Sequence, residues 1–106
     1  MCEKAIKQIL IQFPNGEVWG LDAFDVAYNR ADYYASKESD PKKSLEVFNE
    51  EFGYTARSED VLADWLFNNM DWKDLENKEF LYNAFDESSV EKNICEAEVR
   101  EIIRSD

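Results

Sequence analysis

The sequence predicts an α+β fold: a small antiparallel sheet, built on an N-terminal β-hairpin plus a candidate third strand, covered by about four helices. Three observations lead there. Apolar residues alternate with polar ones on both sides of a Pro-Asn-Gly turn near the N-terminus. Later stretches carry apolar residues at spacings of three and four, the helical repeat. Those stretches open on Asp or Ser, residues whose side chains accept from the free N–H groups of a first helical turn.

The hairpin comes first. In residues 4–13, Ile9, Ile11 and Phe13 share one face and Gln8 and Gln12 the other, with Leu10 the exception. Pro14 fixes φ, and Asn15 and Gly16 tolerate positive φ, so the chain turns there. Glu17-Val18-Trp19-Gly20-Leu21 returns as the second strand. Asp22 is placed to cap a helix over 23–37, whose apolar face is read as Phe24, Ala27, Tyr28, Ala31, Tyr34 and Ala35. Its alanines would allow close approach to the sheet.

After a polar connector, Asp40-Pro41 supplies a cap and a proline for the first turn of a short helix. That helix carries Leu45, Phe48 and Phe52 and is expected to stop at Gly53. Ser58 caps the next helix, with Val61, Leu62, Trp65 and Leu66 as its buried stripe, broken by Asn68-Asn69. Asp71 restarts a single turn through Trp72 to Leu75. Residues 79–85 suit either strand or helix; their aromatic content and brevity favour a third strand. Ser88-Ser89-Val90-Glu91 has the form of a capping box. It introduces an expected C-terminal helix with Ile94, Cys95, Val99, Ile102 and Ile103 on its apolar face and Glu96 four residues before Arg100.

The 106 residues suit a single acidic domain spanning 1–106, large enough to bury about two-thirds of its unfolded surface without metal or disulfide. No apolar run reaches the ~20 residues of a membrane span, and the N-terminus has no signal-like core. A cytoplasmic location is therefore expected. Cys2 and Cys95 have no metal-ligand spacing, and a reducing compartment would leave both as free thiols. Cys95 is expected to be a buried helix residue, with no histidine in the chain to activate it.

The available chemistry is sparse. The chain has no His and three Gly, so it lacks the commonest general base and the means for a phosphate cradle. Around Asp71, Asp74, Glu76 and Glu79 no glycine stands where a calcium loop requires one. The expectation is no enzyme, no catalytic residue, no metal and no cofactor.

Charge says more. Twenty-four Asp+Glu against 12 Lys+Arg give −12, which disfavours direct nucleic-acid or membrane partners. The excess is uneven: residues 1–37 are nearly neutral, whereas 59–91 hold ten acids against Lys73 and Lys78. Two readings follow. In one, acidity simply confers solubility; in the other, the acids form a face that meets a basic surface on a partner protein, one form of which is nucleic-acid mimicry. The residues assigned to that face are Glu59, Asp60, Asp64, Asp71, Trp72, Asp74, Glu76 and Glu79. Trp19, Trp65, Phe24, Phe48 and Phe52 are read as core, while Trp72, Tyr33 and Tyr54 fit no buried stripe clearly and read as half-buried packing residues or, amid the acids, as contact anchors.

Two segments, Asn29-Arg30-Ala31-Asp32-Tyr33-Tyr34-Ala35 and Asp64-Trp65-Leu66-Phe67-Asn68-Asn69-Met70-Asp71-Trp72-Lys73-Asp74, resemble small acidic proteins of tailed bacteriophages, including phages of marine cyanobacteria. The second is the more specific, and the likeness does not extend past Asp74. It implies an origin, a phage-like accessory protein made inside a bacterial host, and supplies no site residue. The expected function is thus a non-enzymatic binding or inhibitor protein that engages a host or phage protein through its acidic face. The alternative is a small structural or assembly subunit, homodimeric through its sheet edge.

Overall fold

The computed structural model describes residues 4–75, 78–82 and 92–105. Four antiparallel strands, β1 (Ile6–Gln12), β2 (Val18–Asp22), β3 (Glu79–Tyr82) and β4 (Glu98–Arg104), lie in the order β3-β2-β1-β4. The hairpin pairs Ile9 with Leu21 and Ile11 with Trp19. Gly16 takes φ 94°, which a side chain would resist, and its N–H donates to the Phe13 carbonyl at 2.9 Å. Asn15 Oδ1 accepts from the Glu17 N–H at 3.0 Å, closing the turn. Ile6, Ile9, Ile11 and Phe13 are all buried. Ile6 and Ile9, three apart, can share the inner face because the β1–β4 register shifts between Ile6 and Gln8.

Three α-helices cover the inner face: α1 (Ala23–Ala35), α2 (Pro41–Arg57) and α3 (Glu59–Asn69). With two 3₁₀ turns, Trp72–Asp74 and Ile94–Glu96, they make up the helical content of the described residues, one α-helix fewer than expected. The caps fall where the sequence places them. Asp22 accepts from the Phe24 N–H at 2.9 Å, Asp40 from the Lys42 N–H at 3.1 Å, and Ser58 Oγ from the Val61 N–H at 3.3 Å.

Four expectations need correction. The C-terminal segment is not a helix: Glu98–Arg104 is β4, bonded to β1, with Ile102 beside Ile9. Val99, Ile102 and Ile103 are β-branched and satisfy the open edge of β1. The supposed capping box at 88–91 lies outside the described residues. Second, α2 runs through Gly53 to Arg57, where buried Thr55 and Ala56 hold its last turn. Third, α1 is rotated from the expected phase, burying Ala23, Val26, Ala27, Ala31 and Ala35 and leaving Phe24 and Tyr28 exposed. Small side chains bring α1 close to its neighbours, and its rings move to the seam with α2, Phe24 on Phe52 (5.9 Å) and Tyr28 on Phe48 (5.1 Å). Phe48 and Phe52 are accordingly half-buried, as is Val61 on α3. Fourth, Cys95 is exposed in the second 3₁₀ turn, its Sγ 3.3 Å from the Phe67 carbonyl oxygen. The third strand is present as Glu79–Tyr82; 83–85 lie outside the described residues.

The core joins the inner residues of β1 and β2 to Val26 and Ala27 of α1, Leu62, Trp65 and Leu66 of α3, and Met70, Trp72, Leu75 and Ile94. Beneath the hairpin turn, wholly buried Glu17 forms an ion pair with Lys92.

Candidate functional site

α1 and α3 pack side by side and are locked by one polar contact: Trp65 Nε1 donates to Asn29 Oδ1 at 2.8 Å. That bond fixes the indole, and two rings of α1 lean on it. Tyr33 lies 5.3 Å and Tyr34 6.0 Å from the Trp65 ring, and the tyrosines meet edge to face at 5.3 Å. Both tyrosines stay substantially solvent-exposed.

Cations of the same chain already sit on these rings. The Arg30 guanidinium is 4.7 Å from the Tyr34 centroid, and Lys37 Nζ is 4.4 Å from that of Tyr33. Arg30 is also paired with Glu51 and donates to Thr55 Oγ1 at 3.1 Å, so its charge is neutralised within the α1–α2 seam.

Between the helices runs a groove of about 540 Å³ lined by Arg30, Tyr33, Tyr34, Asp60, Val61, Asp64, Trp65 and Asn69. Asp60 and Asp64 stand one turn apart on α3, both exposed. Asp64 accepts from Asn68 Nδ2 at 2.9 Å. Arg30–Glu51, Lys92–Glu17 and Arg104–Glu59 form ion pairs, and among the described residues neither Asp60 nor Asp64 takes part in one.

The other residues assigned to the acidic face go elsewhere. Glu59 is held by Arg104 at 2.8 Å, beside a second hollow that it shares with Asp60, Tyr54 and Arg57. Asp71 lines a smaller hollow with Lys73, Lys92 and Cys95. Asp74 is used locally, its carboxylate accepting from the Asp71 N–H at 2.8 Å. Glu79 lines a hollow with Lys7, Gln8 and Asp22. Glu76 lies outside the described residues. Trp72 is not a surface anchor: it is buried, edge-on to Trp19 at 4.9 Å and to Phe13 at 5.8 Å, with Lys78 Nζ 5.0 Å from its ring. The groove thus unites Asp60 and Asp64 and leaves the other described members of the set apart.

Five groove residues are not marked as contact residues by the sequence: Arg30, Tyr34, Val61, Trp65 and Asn69. Adjacent side chains on a helix diverge by ~100°, which separates Tyr33 from Tyr34 without telling which of them faces the core. Among the described residues no three His, Cys, Asp or Glu side chains come together to hold a metal, and no helix is long and apolar enough to cross a membrane. Compared with family models, curated proteins and solved structures, the chain shows no match.

Proposed function

We propose that this chain is a non-enzymatic protein-binding module that engages basic side chains of a partner through the acidic flank of α3. The observation that carries the reading is the position of Asp60 and Asp64. They are exposed carboxylates that take part in no ion pair among the described residues, set at the rim of an aromatic-walled groove. A chain of net −12 steers cationic partners toward itself, and the aromatic wall adds contact area beside the charges. The resemblance of 29–35 and 64–74 to phage accessory proteins reaches both walls of this groove, with Asp60 and Val61 outside it, and favours a host or phage protein as the partner. Nucleic-acid mimicry is the form of the reading in which that partner binds DNA or RNA.

Sheet-edge dimerisation is the weaker reading. β4 carries Glu98, Arg100, Glu101 and Arg104 within seven residues and a register shift opposite Leu10 and Ile11. Charges and bulges are the devices that discourage edge pairing.

The test is titration of a fluorescein-labelled Lys/Arg-rich peptide, followed by anisotropy at low and high salt. Binding at low salt that weakens steeply with added salt, and that Asp60→Asn/Asp64→Asn reduces more than Asp71→Asn/Asp74→Asn, supports the reading. Equal effects of the two double variants, with unchanged circular dichroism, reject the α3 flank as the contact.

A further inference from the structure

The groove between α1 and α3 combines two kinds of group that recognise a cation: carboxylates on one wall and tyrosine faces on the other. Resting on the proposed contact between the α3 flank and basic side chains, we propose that this groove takes an arginine side chain of the partner, stacked on Tyr33 and paired with Asp60 and Asp64, and that Lys37 occupies the Tyr33 face until it arrives.

Four observations support this choice of occupant. Charge complementarity is the first: among the described residues neither Asp60 nor Asp64 takes part in an ion pair, and Arg30, the cation lining the same groove, is neutralised by Glu51. The second is that the rings already receive cations, since Lys37 lies over Tyr33 and Arg30 over Tyr34. Lys37 is exposed, so the contact it makes is one a competing cation can displace. Third, the platform is set before any partner arrives, because the Trp65–Asn29 bond fixes the indole against which Tyr33 rests; little ordering remains to oppose binding. Fourth, the groove volume of about 540 Å³ lies within the ~300–1,000 Å³ of ligand sites.

Arginine suits this arrangement better than lysine. Its flat guanidinium can lie on a tyrosine ring while its edge donates two parallel hydrogen bonds to a carboxylate; an ammonium offers a point charge without the stacking plane. A ring contact at an exposed site changes affinity roughly two- to fivefold.

The experiment compares two labelled peptides of equal length and charge, one of Arg-Gly repeats and one of Lys-Gly repeats, binding to the full chain. The Arg peptide is expected to bind more tightly, and Tyr33→Leu should abolish that preference while circular dichroism stays unchanged. Lys37→Gln should tighten Arg-peptide binding more than Lys43→Gln, which makes the same change in net charge on the exposed start of α2. Binding without preference, a preference that survives Tyr33→Leu, or equal gains from the two lysine variants would overturn the arginine site and leave the acidic contact standing. If neither peptide binds, the acidic contact fails, and the arginine site with it.

Discussion

Two aromatic clusters in this molecule are built from similar residues and end in opposite circumstances. Phe13, Trp19 and Trp72 meet edge to face beneath the hairpin, and all three are buried. Tyr33, Tyr34 and Trp65 meet at similar distances between α1 and α3, but the two tyrosines remain open to solvent. The difference lies in what surrounds them. Strand β1 with its turn on one side and the first 3₁₀ turn on the other enclose the first cluster. The second has a floor, Trp65, and no roof. Ring geometry alone therefore says little about whether an aromatic can meet a partner; enclosure decides it.

The largest expected effect separates the clusters directly. Trp72→Ala removes a large buried ring from a packed site and should cost about 3–5 kcal/mol in urea or thermal unfolding. Tyr33→Ala, half-open, should cost about 1 kcal/mol or less. Comparable losses at the two positions would mean that the groove is as much a part of the core as the hairpin cluster, and the contrast would collapse.

Next in size is the ion pair that closes the first cluster. Glu17 is wholly buried and Lys92 nearly so, which makes their pairing an enclosed charge contact. Glu17→Ala removes a buried carboxylate from beside Lys92 and should destabilise by about 3–5 kcal/mol at most, less where water or another group compensates the ammonium. Replacing both partners, Glu17→Leu with Lys92→Leu, should recover part of that loss, since neither charge of the pair then remains. Guanidinium denaturation of the two variants reads the difference. A double variant as unstable as the single one would show that the pair contributes more than mutual neutralisation.

How legible these features were depends on whether the deciding information is local. Turn and cap chemistry is local: Asn15-Gly16, Asp22, Asp40-Pro41 and Ser58 each act on backbone groups within a few residues, and the structure places them as the sequence does. The C-terminal strand is not local. Ile94, Val99, Ile102 and Ile103 have helix-compatible spacing, and the register shift between Leu10 and Ile11 disturbs the alternation that would mark a strand. Only the open edge of β1, some ninety residues away in sequence, resolves the ambiguity. The site shows the same division. Asp60 and Asp64 could be picked out because helical spacing puts them on one flank, but local acid density also swept in Asp74, which serves its own turn, and Trp72, whose burial depends on Phe13 and Trp19. Tyr34 has the spacing of a buried stripe, but α1 buries a different face made of small residues.

A third variant sharpens what holds the open cluster in place. Trp65→Phe keeps a ring on the floor of the groove but loses the indole N–H that Asn29 accepts. The loss should be about 1 kcal/mol, the net contribution of one hydrogen bond, with Asn29 free to turn toward water. Near-ultraviolet circular dichroism of the tyrosines should change as well, because their orientation depends on the indole. If stability falls and the tyrosine signal stays fixed, packing between α1 and α3 positions those rings without help from the bond.

The smallest effect concerns Gly53, which the sequence marks as a helix stop and the structure places inside α2. A glycine there has no left-handed backbone to justify it, since Gly16 is the described glycine with positive φ. A Cβ built at Gly53 would meet only the guanidinium end of Arg57, at 3.1 Å, and that side chain can swing aside. Gly53→Ala should therefore raise stability by about 0.5–1 kcal/mol, the helix-interior difference between the two residues, read as a higher thermal midpoint. Gly53 also lines the hollow beside Glu59 and Asp60, at the far end of the α3 flank from Asn69. Stability that rises while peptide binding holds would assign the flexibility of that last turn to folding alone. Binding that weakens as the helix stiffens would extend the open region past the tyrosines to the α2–α3 corner, which needs room to yield as a partner settles against Asp60.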